Sequence, residues 1–122
     1  MRKLLAIVVL VFAFASNVSA QEVKKVALEQ TKGEFTQKEV KLSAGTYVFE
    51  ISNNNVGHDV GFVLVPKGKD ASNPKNHIKN AYVTKAVANG KKESTNKVTL
   101  KKGEYVYFCP LNPTPQYTLI IE

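Results

Sequence analysis

The chain has 122 residues, 22% of them charged, and a formal net charge of +7. That length suits one domain with a modest core, and a single cysteine excludes an intrachain disulfide. Arg2 is the one arginine, so the side chain that reads phosphates and base edges in bidentate fashion is missing from the rest, which argues against a nucleic-acid partner.

Arg2 and Lys3 precede an unbroken apolar run, Leu4 to Ala15, and a polar stretch ending Val18-Ser19-Ala20. A positive start, a short apolar stretch and small residues at a cleavage position predict a secretory signal peptide over residues 1–20. The run falls short of the roughly twenty residues that a bilayer helix needs; the competing reading is a buried N-terminal helix. The expected mature domain, residues 21–122, is exported to a periplasmic or extracellular location, has no transmembrane segment and is expected to be a monomer. It keeps 15 lysines against 10 acids, a charge of +5, with the lysines read as scattered among the acids rather than massed.

From there the chain reads as strands. Val23 to Leu28 opens, Glu34 to Leu42 follows, and after the turn Ser43-Ala44-Gly45 the segment Thr46 to Ile51 alternates β-branched and aromatic residues. Ser52 to Asn55 is a polar loop, His58 to Val65 a strand stopped by Pro66, and Lys67 to Asn73 a surface excursion. Ile78, Tyr82, Val83 and Ala86 recur at three and four residues behind Pro74, which predicts a short helix over 74–87. Asn96 to Leu100, Glu104 to Phe108 and Tyr117 to Ile121 complete the set. About seven short strands with one helical insertion predict an all-β, Greek-key β-sandwich in a single domain.

Cys109 sits between an aromatic strand and the turn Pro110-Leu111-Asn112-Pro113-Thr114-Pro115. Four readings are open for it: a small buried hydrophobe, an intermolecular bridge, a reactive thiol or a metal thiolate. Catalysis has little support. Nothing in the sequence offers Cys109 an orienting group or an oxyanion hole, Asp59 points away from its neighbour His58 along a strand, and no phosphate loop or paired carboxylates occur. The chain is therefore not read as an enzyme.

Asn53-Asn54-Asn55-Val56-Gly57-His58-Asp59-Val60 and Lys101 to Pro110, which ends Tyr107-Phe108-Cys109-Pro110, together resemble the cupredoxin family. The likeness also takes in Val40 to Ile51. Blue-copper sites use two imidazoles, one thiolate and a weak axial group. The resemblance implies His58 as the first imidazole, Cys109 as the thiolate and the Gly57 carbonyl as a weak axial donor. It also puts Asn112 where the family has its second His, and Pro115 where compact members have Met. The ligand loop thus has the family's length without two of its side-chain donors. Copper held by His58 and Cys109 for carriage or delivery is the expected function, with a copper donor or acceptor or a redox protein as the expected partner. One alternative is a metal-free interaction module using loops 52–57 and 110–116. Another is blue-copper electron transfer completed by His77 or a partner's ligand; otherwise His77 is expected as an exposed polar position on the helix.

Overall fold

The computed structural model describes residues 22–122, so the signal peptide expected over 1–20 lies outside the described residues. One sheet contains β1 (Val23–Thr31), β2 (Glu34–Phe35), β4 (Gly45–Asn53), β6 (Lys92–Ser94) and β7 (Val98–Leu100). The other orders β3 (Glu39–Leu42), β9 (Tyr117–Ile121), β8 (Gly103–Phe108) and β5 (Val63–Pro66) from edge to edge. β1 runs parallel to β4, from Val23 opposite Thr46 to Gln30 opposite Asn53, and β3 runs parallel to β9. The expected all-β sandwich is the architecture observed.

Alternation builds the core. Tyr47, Phe49 and Ile51 point inward from β4, Leu28 from β1, and Leu119 and Ile121 from β9. Between the sheets Phe35 meets Phe62, Tyr107 and Tyr117 edge-on, with ring centroids 6.1, 5.1 and 5.7 Å away. Phe35 reaches that position because the expected strand 34–42 is two strands. β2 belongs to the first sheet and β3 to the second, and Thr36 to Lys38 cross between them. Gln37 pins the crossing: its Oε1 accepts from Glu29 N at 2.8 Å, and its carbonyl accepts from the Tyr107 hydroxyl at 2.6 Å.

Burial, then neighbouring Tyr117 and Glu39, pushes the Tyr107 phenol up to about 12. An unfolded tyrosine ionises near pH ~10. The neutral phenol favours the fold, so its contribution is full below about pH 10 and is lost as pH climbs through about 12. Tyr107→Phe should therefore lose stability less steeply than the wild type across that alkaline range in urea unfolding. Parallel curves for the two proteins would contradict the assignment.

Two expectations need correction. The strand predicted from His58 is regular only from Val63. Before it, Val60 makes an isolated bridge to Val87, and the Gly61 amide and carbonyl turn to side chains instead of a strand ladder. The helix predicted over 74–87 is two 3-10 turns, Pro74–Asn76 and Lys79–Ala81. Backbone bonds to the sheets override its periodicity. Ile78 N donates to Leu64 O and Thr84 N to Ser94 O, while Val87 and Val60 exchange both of theirs, which draws the segment into extended geometry. Strand β6 was not anticipated, since Lys92-Glu93-Ser94 has no apolar signal. Among the described residues no helix is long and apolar enough to cross a membrane.

Candidate functional site

The two motif-bearing segments meet at one end of the sandwich. β4 ends in buried Asn53, whose Nδ2 donates to the carbonyls of His58 (2.7 Å) and Val87 (3.0 Å) while its Oδ1 accepts from Val56 N (3.1 Å). These bonds fix the base of the loop. At its crest Asn55 and Gly57 take positive φ, 59° and 101°, and Gly57 N donates to Asn89 Oδ1 at 2.8 Å. Such φ values suit Asn and Gly, which tolerate the left-handed region.

His58 lies exposed on that loop, and its Nδ1–H donates to the carbonyl of Asp59 at 2.8 Å. Cys109 is 3% exposed. Its Sγ accepts two backbone N–H bonds, from Gly61 at 3.3 Å and Asn112 at 3.1 Å. Its own N–H donates to Thr114 Oγ1 at 3.1 Å and closes the following turn. The residue of the first segment that reaches the sulfur is thus Gly61, three positions beyond His58. Beside it Val60, fully buried, takes the inward place.

Asn112 is only 1% exposed, and its side-chain amide is fully taken up by partners in and just after β1. Its Oδ1 accepts from Gly33 N at 2.8 Å, and its Nδ2 donates to Thr31 O at 2.9 Å and Gln30 Oε1 at 3.1 Å. Gln30, itself buried, donates from Nε2 to Gly61 O at 2.8 Å. Gly61, Gln30, Asn112 and Cys109 therefore form a closed ring of four hydrogen bonds between the strand-β1 end, the first-ligand segment and the cysteine loop. Both N–H groups of the Asn112 amide are occupied, and buried polar groups left unpaired are costly.

His77 was expected to be exposed on a helix. It is half-buried after the first 3-10 turn, with Nε2–H donating to Ala71 O at 2.7 Å and Nδ1 accepting from the Tyr82 hydroxyl at 2.6 Å. Both of its nitrogens are thus taken by partners other than Cys109. Among the described residues no group of three or more His, Cys, Asp or Glu is placed to hold a metal ion. A type 1 copper centre does not fit this donor set. The amide in the second-His position is committed to β1 and the β1–β2 turn, and the imidazole of His58 turns to its own loop. Gln30 was missed in the sequence, and Asn53 was read there only as part of the asparagine-rich loop, without its role in fixing the loop base. Gln30 carries a readable signal, since it follows Leu28 by two residues and so shares its inward face.

Pro110 and Leu111 cap this end, and Leu111 is 52% exposed. Together with Val60, Phe62, Val63, Tyr82, Val83 and Ala86 they line an apolar groove beside the cysteine loop.

A family model described as a cupredoxin-like domain matches residues 4–121. No curated protein matches the chain. Solved structures do. Auracyanin B superposes with a TM-score of 0.65 at 21% identity, covering 87% of this chain and 93% of its own. Auracyanin A, described as a blue copper protein from Chloroflexus aurantiacus, gives 0.66 at 18% identity, covering 83% and 100%. An azurin from Methylomonas sp. strain J gives 0.54 at 18% identity, covering 80% and 97%. At these identities the likeness is one of fold.

Proposed function

Because the chain belongs to the cupredoxin-like domain family, yet commits its ligand-loop amide to β1 and the β1–β2 turn, we propose that it is a metal-free binding module. The observation that carries this reading is the Asn112 side chain. Its three hydrogen bonds close the end of the sandwich where a copper centre would need an imidazole. Loops 52–57 and 110–116, with exposed Asn54, Asn55, Pro110 and Leu111, form the contact end. The role is binding rather than catalysis: Cys109 Sγ accepts only backbone N–H bonds, and no base is hydrogen-bonded to it among the described residues. The Arg2 to Ala20 pattern supports action outside the cytoplasm.

One observation favours a second reading, low-coordinate Cu(I) carriage through Cys109 and His58 with the Gly57 carbonyl. Two N–H donors converge on the sulfur, and hydrogen bonding of that kind also tunes a ligating thiolate. Soft Cu(I) prefers thiolate, and His58 Nε2 has no protein partner among the described residues. Anaerobic competition for Cu(I) against a chelator separates the two readings. The metal-free reading predicts that residues 21–122, Cys109→Ser and His58→Ala behave alike, with no one-to-one complex. One-to-one binding lost in both variants would establish carriage instead.

A further inference from the structure

The net positive charge of the domain has one source. Residues 22–70 hold seven lysines and seven acids, residues 104–122 hold two acids and no lysine, and residues 71–103 hold eight lysines against the single acid Glu93. The even scatter read from the sequence is thus a property of the first half only. All eight of these lysines are exposed. The ion pairs among the described residues join Lys25 to Glu50, Lys38 to Glu34 and Lys67 to Glu104, so none of the eight is paired.

The fold gathers most of them on one flank. The segment after Pro74 spans both sheets, with Ile78 N donating to Leu64 O of β5 and Thr84 N donating to Ser94 O of β6. Val83 bridges Thr95 beside it. β6 and β7 pair with β4 on the side away from β1. Lys79 and Lys97, eighteen positions apart in the sequence, line one groove with Ile78, Asn80, Val98 and Thr99. Lys85 follows Thr84 at the β6 edge, and Lys91 and Lys92 lead into β6. The same segment supplies Tyr82, Val83 and Ala86 to the apolar groove that Pro110 and Leu111 complete. A basic flank therefore adjoins the apolar groove at the contact end.

We infer that this flank, centred on Lys79, Lys85, Lys91, Lys92 and Lys97, docks an acidic protein surface. The identification deepens the binding-module reading and rests on it for the existence of a partner. Like-signed exposed charges without partners repel one another, and an oppositely charged surface relieves that repulsion as it docks. The composition selects the class of partner. Lysine is a strongly hydrated point charge that attracts carboxylates without fixed geometry, whereas phosphate and base recognition favours the arginine fork that this domain lacks. Attraction of this kind acts over a Debye length of about 10 Å at 0.1 M salt and speeds encounter with a partner of opposite sign.

The test uses residues 21–122 and short poly-L-glutamate as the probe, read by 15N chemical shifts and by affinity at low and high salt. Shifts should concentrate in 78–86 and 91–99 and fade at high salt. Lys79→Glu/Lys85→Glu/Lys97→Glu should weaken binding about tenfold or more, while Lys24→Glu/Lys32→Glu/Lys41→Glu, with the same change in net charge, should weaken it by about twofold or less. All six positions are exposed, so both triple variants keep the core intact. Equal losses in the two variants, or shifts spread over residues 22–70, would overturn the inference while leaving a binding module standing. Tighter binding to duplex DNA or to phosphatidylserine vesicles than to poly-L-glutamate would overturn it in favour of a phosphate-bearing partner. Cu(I) capture by Cys109 would remove the metal-free reading without moving the lysine map, so the two failures are distinguishable.

Discussion

Asn112→Ala should lower the unfolding free energy by roughly 2–4 kcal/mol. The substitution leaves the Gly33 N–H, the Thr31 carbonyl and the Gln30 Oε1 without their partner at a site where Asn112 is 1% exposed. It also opens the ring through Gln30 and Gly61 to Cys109, so the loss is felt by three segments at once. Asn112→Asp keeps the volume but turns a donor into an acceptor facing Gln30 Oε1 and Thr31 O. It should cost at least as much at neutral pH. Urea unfolding of the three proteins checks both, and a loss below about 0.5 kcal/mol for Asn112→Ala, the size of an ordinary surface change, would deny the ring its role.

Phe35→Ala should cost roughly 3–5 kcal/mol. Phe35 is fully buried and meets three other rings, two of them from the second sheet, although β2 is only two residues long. Its ring anchors the point where the chain leaves the first sheet for the second, and removing it leaves a cavity that the crossing at Thr36 to Lys38 must span. The cavity distinguishes it from Asn112→Ala: a smaller aliphatic such as Leu should recover part of the loss here, whereas no apolar residue recovers it at 112. A cost under about 1.5 kcal/mol for Phe35→Ala would mean that the site collapses around the missing ring.

The parts of the fold that were readable in the sequence are those where alternation and burial agree. Thr46 to Ile51 and Tyr117 to Ile121 each put their largest apolar residues on one face, Glu104 to Phe108 holds a run of aromatic and β-branched residues, and each is a strand. The helix over 74–87 was not readable, because the spacing of Ile78, Tyr82, Val83 and Ala86 suits a helix while partners elsewhere in the chain decide the backbone. Leu64, Ser94 and Val60 supply those partners, and none of them is visible from the segment itself. The candidate site divides in the same way. Loop length and the positions of His58, Cys109 and Asn112 could be read from spacing. That Asn112 bonds Gln30, Thr31 and Gly33, some eighty residues earlier, depends on β1 and its turn arriving at the loop. The basic flank was missed for a related reason. Six lysines spread over 75–97 look dilute in the sequence, and folding the segment against β6 and β7 brings them together.

The proposed metal-free reading puts Asn112 and its ring in the place that a metal centre would need. Its most direct test is the 15N spectrum of residues 21–122, following the Asn112 side-chain amide and the backbone amides of Gly33 and Gly61 while buffered Cu(I) is added anaerobically. The ring predicts slow solvent exchange for all three and unchanged positions at one equivalent of Cu(I). Loss or displacement of these signals at one equivalent, absent in Cys109→Ser, would show that a metal opens the ring and would contradict the account.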